Sequence, residues 1–200
     1  ASITNSRVGG KGSFTKVSYD AEKGTTTKSL DFGEFVIVGQ GAMAGFVDKN
    51  NGLISASYFA GATLTNMTTS ASLNATSGFV LYNNLGALIT TSYSEGIKLI
   101  TDLSVNITGG GIVSQGTSAG FAYQNNGTIT DCYSNIRLAG DSTGRLVSGF
   151  VYNNQADGKL ERCYSASTIV GELTTQMPST GKNAREEIMQ LSEDGLVDCY

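Results

Sequence analysis

The chain reads as an all-β protein, a right-handed parallel β-helix of roughly four to six coils, and three observations lead there. A phrase close to "GFAYQNNGTITDCYS" recurs along most of the sequence. The composition holds 26 Gly, a single Pro, no His and no Trp, with 40 % hydrophobic residues and only 15 % charged ones. Apolar residues alternate in short runs between Gly, Asn, Ser and Thr, which is strand-and-turn chemistry and not the 3.6-residue period of helices.

The first 43 residues lack the phrase, but "SFTKVSYD" and "EFVIVGQ" alternate as strands that start or cap the stack. The repeat unit then runs over residues 44–200, with copies starting at Gly45, Gly78, Gly120 and Gly149 and a partial one at Asp194. Each copy reads Gly-Phe-Val/Ala, two variable residues, Asn-Asn, a glycine turn, then Ile or Leu three residues before Ser or Cys, and Tyr. Phe and Val favour strands, while Asn and Gly accept the left-handed backbone of a sharp corner. The three-residue step from Ile to the Ser/Cys slot breaks the two-residue strand period, so a bulge or a second corner belongs there. The stretches between copies, such as "TLTNMTTSASLNATS" and "IRLAGDSTGRLVS", supply a third strand per coil. "KNAREEIMQLSED", Lys182 to Asp194, is the one helical pattern, a short insertion outside the coils. Handedness follows the general rule for crossovers between parallel strands.

Stacking coils places equivalent residues about 4.8 Å apart, so the repeat predicts ladders. Asn50, Asn83, Asn125 and Asn153 form an amide ladder between rungs, with a polar ligand groove made by those amides as the alternative. Phe46, Phe79, Phe121 and Phe150 stack in the core. Tyr58, Tyr93, Tyr133 and Tyr164 form a corner column with wet hydroxyls, open to packing or to sugar stacking. Cys132, Cys163 and Cys199 fill the slot that Ser57 and Ser92 hold earlier, and read as small buried packing groups. Parallel neighbours aim their side chains poorly for a disulfide. The residues just before that slot put Arg162 between Asp131 and Asp198, a surface ion pair that checks the register.

No catalytic, metal-binding or cofactor residues stand out. Without His the commonest general base and metal ligand are missing. Three Cys spaced 31 and 36 apart are no zinc pattern. Carboxylates that a glycosidase could use exist, as Asp131 with Glu161 or around Asp48, but the repeat accounts for their placement. "GQGAMAG" and "GGKG" lack the following helix that a phosphate loop needs. Net charge is −4 with no basic cluster, which argues against nucleic acid, and no run of residues is long and apolar enough for a membrane span. Asn66, Asn74, Asn106 and Asn126 open N-x-Thr sequons, which matter only in a eukaryotic secretory pathway. The start at Ala1 and the end in mid-phrase at Tyr200 read as a mature or excised piece.

The phrase resembles the GLUG motif, roughly G-L-V-G-x-N-x-G-x-I-x-N-C-Y, best at Gly120–Tyr133 and Gly149–Tyr164 and more loosely at Gly45–Tyr58 and Gly78–Tyr93. Phe stands where the motif has Leu, and a second Asn, Leu85 and Gln155–Asp157 are additions. The resemblance implies a bacterial surface or secreted protein, such as an adhesin or the repeats beside an immunoglobulin A-specific metallopeptidase. In the latter, catalysis belongs to a separate H-E-x-x-H domain. It therefore implies a non-catalytic scaffold or attachment module at the cell surface or outside the cell, with a glycan or host-surface protein as partner. The alternatives are a self-assembling fibre, filament or virion spike associating through its solenoid ends, a polysaccharide-degrading β-helix enzyme and, remotely, an ice-binding surface.

Overall fold

The computed structural model describes residues 1–9, 14–20, 25–31, 35–67, 75–101, 104–109, 111–114, 116–139, 147–170, 185–186, 189–191 and 196–197. It is a parallel β-helix whose strands stack into five parallel sheets, here called faces one to five. The first rung enters at face three with β1 (Ser2–Thr4) and β2 (Arg7–Gly9). It then detours through β3 (Phe14–Asp20) and β4 (Thr25–Asp31) before β5 (Phe35–Gly39) closes it. The second rung visits the faces in order: β6 (Met43–Ala44), β7 (Val47–Asn50), β8 (Leu53–Ser55), β9 (Tyr58–Ala60) and β10 (Ala62–Asn66). In the third, β11 (Ala75–Ser77), β12 (Val80–Asn83), β13 (Leu88–Thr90) and β14 (Tyr93–Glu95) are followed by a second detour. That detour is β15 (Ile97–Thr101) and β16 (Ser104–Gly109), and β17 (Gly111–Ser114) completes the rung.

The fourth rung is β18 (Thr117–Ala119), β19 (Ala122–Asn125), β20 (Thr128–Thr130), β21 (Tyr133–Asn135) and β22 (Arg137–Ala139). The fifth is β23 (Val147–Ser148), β24 (Val151–Asn154), β25 (Lys159–Glu161), β26 (Tyr164–Ser165) and β27 (Thr168–Val170). The sixth shows β28 (Arg185–Glu186), β29 (Met189–Leu191) and β30 (Leu196–Val197).

Three expectations change. A coil has five short strands, not three, because the Thr- and Ser-rich stretches between copies supply two. In "ATLTN" buried and half-buried residues alternate along β10, and "ATS" then forms β11 on the next face. The Lys182–Asp194 segment is not a helical insertion. Its described residues are β28 and β29, which pair in parallel with β23 and β24. Pairing with a waiting rung outweighs local helix propensity, a weak prior that tertiary context overrides. Finally, "SFTKVSYD" lies outside the stack. The detours β3–β4 and β15–β16 leave at the same corner, between faces four and five, from rungs one and three. They join through β4–β15 into a four-stranded antiparallel sheet. Rung two turns this corner with Gly61 alone, at φ 67°. "EFVIVGQ" does enter the stack, as β5.

The core is a set of columns. Ile54, Ile89, Ile129 and Leu160 are in register at the centre of face three and fully buried. Each such side chain contributes about 1.5–3 kcal/mol by leaving water. Phe46, Phe79, Phe121 and Phe150 stack with ring centroids 4.7–4.8 Å apart and planes 4–18° from parallel. Each Phe carbonyl from the second to the fourth copy accepts two N–H groups from the rung before. Phe79 O, for instance, takes Phe46 N–H and Val47 N–H, both at 3.0 Å. This double bond turns the corner between faces one and two. It also explains the glycine of the phrase: a Cβ at Gly45, Gly78 or Gly120 would sit on the carbonyl oxygen of the next rung's glycine.

Candidate functional site

The repeated polar residues come first, because sequence singled them out. At the corner between faces two and three, the side chains of Asn50, Asn83, Asn125 and Asn154 form a buried chain. Asn50 Nδ2 donates to Asn83 Oδ1 at 2.9 Å, Asn83 to Asn125 and Asn125 to Asn154, both at 2.7 Å. The fourth member is Asn154 and not Asn153. Counted from the phrase glycine, Asn154 holds the position of Asn125, while Asn153 pairs with Gln124 and is half-buried. A second, exposed link joins Asn84 Nδ2 to Asn51 Oδ1 at 2.7 Å.

The Ser/Cys slot is the inner side of a second corner, between faces three and four. The three-residue step anticipated a bulge or a corner, and it is a corner. Its hinge is the residue just before the slot: Asn5, Ala56, Thr91, Asp131 and Arg162 all have φ between 47° and 55°. Sequence reading missed this, because the slot mixes residue types and contains no glycine. Asn5 was the available clue, since Asn enters the left-handed region most readily after Gly. Inside the corner Ser57 and Ser92 donate back to the Ser55 and Thr90 carbonyls at 2.9 and 2.8 Å. Cys132 and Cys163 copy that bond to Thr130 and Glu161 at 3.1 and 3.3 Å. Both thiols are buried, and burial pushes the Cys132 thiol well above its ordinary range. Cys199 lies outside the described residues.

Outward of this corner stand Tyr58, Tyr93, Tyr133 and Tyr164, stacked at 4.8–5.0 Å with planes within 6°. They are half-buried except Tyr164, at 45 % exposure. Stacking decides what the column can do. Ring faces are turned to each other, so between rungs only edges and hydroxyls reach solvent, and a sugar has no inner ring face to lie on. Tyr133 OH donates to Glu95 Oε2 at 3.3 Å. Burial first, then the Glu95 carboxylate and the neighbouring phenols, hold the Tyr133 hydroxyl far above its ordinary pKa; Tyr93 is raised by burial, Tyr58 and Glu95. A second tyrosine column on face two was not anticipated. Tyr123 stacks on Tyr152 at 5.1 Å and meets Tyr82 edge-on at 6.0 Å, with Lys49 Nζ 5.8 Å from the Tyr82 ring centre.

Asp131 and Glu161, the first pair of carboxylates that sequence offered to a glycosidase, share one cation. Arg162 Nε lies 2.6 Å from Asp131 Oδ1, its second nitrogen donates to Asp131 Oδ2 at 2.9 Å, and its third sits 3.7 Å from Glu161. The Arg162 side chain holds the Asp131 carboxyl below its usual range. Asp198, the other expected neighbour, lies outside the described residues, and Asp48 is exposed on β7. Asn66, first of the sequon asparagines, is buried, with Nδ2 on Gly41 O at 2.6 Å and Thr76 Oγ1 at 2.9 Å.

Face five is built differently. On its outer side Val36 and Val38 are more than half exposed and in register with half-buried Thr63 and Thr65. The longest stretches of sequence between consecutive strands of the stack precede or follow its strands. In sequence, residues 10–34 and 96–110 come between a face-four strand and a face-five strand, and 67–74, 140–146 and 171–184 between a face-five strand and a face-one strand. Among the described residues no group of three or more metal-ligating side chains occurs, and no helix is long and apolar enough to cross a membrane. Compared with family models, curated proteins and solved structures, the chain matches none of them.

Proposed function

We propose that the chain is a non-catalytic scaffold and attachment module of a larger surface or secreted protein. The observation that carries this reading is a division of labour. The Asn, Phe and Tyr that recur bond or stack onto the same residue of the next rung and build a stiff axis, while the recurring Ser or Cys closes the corner within its own rung. Variation in chain length falls in the stretches that lead into and out of face five, and loops on a rigid frame commonly carry recognition. The resemblance to GLUG repeats and the Gly-, Asn- and Thr-rich composition point the same way, to the outside of a bacterial cell.

Face five is the attachment face in this reading. Its Val and Thr floor offers methyl groups and hydroxyls without charge at Val36, Val38, Thr63 and Thr65, which suits a neutral glycan. A glycan array tests this with the chain as it stands and with Thr63→Glu/Thr65→Glu. Binding lost in the double variant supports the assignment. Binding retained moves the site to another face, and no glycan captured at any concentration rejects the glycan.

A self-assembling filament is the second reading. Ile3 continues the Ile54 column in the first rung yet is 37 % exposed, where the rungs above are fully covered. A rung from another copy would cover it. Light scattering over a concentration series separates the two: constant monomer mass favours the attachment module, and growth with concentration favours the filament.

A further inference from the structure

Two peptide links in the chain, Asn51–Gly52 and Asn126–Gly127, share the sequence in which asparagine is chemically least durable. Glycine has no side chain to shield its own backbone nitrogen. Once that N–H proton is lost to hydroxide, the nitrogen attacks Cγ of the preceding Asn. The Cγ–Nδ2 bond breaks, ammonia leaves, and a five-membered succinimide remains. Water then opens one of its two carbonyls, giving aspartate or isoaspartate. By sequence the two links are equal.

The fold makes them unequal through the buried amide ladder. Gly52 N–H donates to Asn50 Oδ1 at 3.1 Å and Gly127 N–H to Asn125 Oδ1 at 3.3 Å. The nitrogen that would attack is therefore held by the ladder residue two positions back. The two guards differ in how firmly they are held. Asn125 is fully buried in mid-ladder, accepting from Asn83 Nδ2 and donating to Asn154 Oδ1. Among the described residues Asn50 has one ladder neighbour, Asn83. The targets differ too. Asn126 is half-buried, and its N–H donates to Asn83 O at 2.7 Å. Asn51 is exposed, and Asn84 Nδ2 donates to its Oδ1, which draws electron density from the carbon under attack.

We propose that Asn51–Gly52 is a site of spontaneous succinimide formation in the folded protein, and that the asparagine ladder protects Asn126–Gly127. An isoaspartate at position 51 would lengthen the backbone by one methylene at a corner where Leu53 N–H holds Ala1 O at 3.1 Å. The first rung would then lose its seat.

The test needs no variant. Native protein and protein in concentrated urea are kept in mildly alkaline buffer, sampled over days, and mapped by mass spectrometry with an isoaspartyl assay. In urea both positions should convert at similar rates. In the native protein position 51 should convert about tenfold faster than position 126, the factor expected from one more buried hydrogen bond at the upper end of its range. Equal native rates, a faster position 126, or a native position 51 that never converts would each overturn the proposal. Asn125→Ala adds a second check, since it should bring position 126 up toward its urea rate while position 51 stays unchanged.

Discussion

Asn125→Ala is the substitution with the most to lose. The side chain is fully buried; its Nδ2 donates to Asn154 Oδ1 at 2.7 Å and to the Lys159 carbonyl at 3.4 Å. Its Oδ1 accepts from Asn83 Nδ2 at 2.7 Å and from Gly127 N–H at 3.3 Å. Alanine replaces none of these. A buried group deprived of its partner costs about 1–3 kcal/mol, and both the Gly127 N–H and one Asn83 amide proton are deprived. Asn83 keeps the Thr128 carbonyl at 3.3 Å for its other bond. The expected loss is about 2–5 kcal/mol, which lowers Tm by roughly 5–15 °C in a chain of this size. Asn153→Ala is the matched control. Half-buried and one position off the ladder, it should change stability by no more than about 0.5 kcal/mol. Thermal and urea unfolding followed by far-ultraviolet circular dichroism reads both, with tyrosine fluorescence as a second probe because the chain has no Trp. If Asn153→Ala cost as much as Asn125→Ala, the ladder register would be wrong. A cost under about 1 kcal/mol for Asn125→Ala would mean the ladder contributes little.

Three further outcomes follow from the corners and the tyrosines. Thr91 is a β-branched residue at φ 50°, so Thr91→Gly, or Thr91→Asn after the example of Asn5, should raise stability by about 0.5–1 kcal/mol in urea titration; a loss would show that the hinge is not strained. Gly120→Ala sets a methyl on the Gly149 carbonyl oxygen in the middle of the stack, and should cost several kcal/mol or prevent folding, whereas Gly86→Ala, in open space but at φ 77°, should cost only about 1–2 kcal/mol, that of a left-handed backbone. Tyr93 and Tyr133 have raised pKa values, so the folded state holds their protons after the unfolded chain begins to release them. Their contribution is therefore complete below about pH 10 and declines as pH rises beyond it. Phenolate absorbance should lag in the native protein and catch up on unfolding, and a native titration identical to that in urea would contradict the stacked column.

Much of the stack was legible because repetition converts a sequence position into a spatial column. Phe46 to Phe150 and Tyr58 to Tyr164 needed only the phrase to be aligned, and the structure stacks them ring on ring. Asn153 misled because the doubled asparagine shifts by one residue in the fourth copy, and only counting from Gly149 restores Asn154. The hinge at Ala56, Thr91, Asp131 and Arg162 was hidden because backbone strain leaves no mark on residue type when the fold overrides preference. Arg162 and Asp131 were paired correctly as neighbours on a surface, yet their φ values say more about the corner than their charges do. The Lys182–Asp194 segment looked helical for its formers, but a strand edge left open by β23 and β24 decides its state. The sheet made by β3, β4, β15 and β16 joins stretches far apart in sequence, with no motif in common. No column pattern reaches it.

The central claim is that the strands of each phrase pair with the strands of the next phrase and not with one another. It is tested most directly by nuclear magnetic resonance couplings across hydrogen bonds, measured from amide nitrogen to carbonyl carbon in uniformly labelled protein. The expected result is coupling from Phe46 N to the Phe79 carbonyl, from Phe79 N to Phe121, and from Phe121 N to Phe150, the bonds seen at 3.0, 3.0 and 2.8 Å. Couplings confined to partners within the same copy, as in hairpins, would contradict the parallel stack and every column built on it.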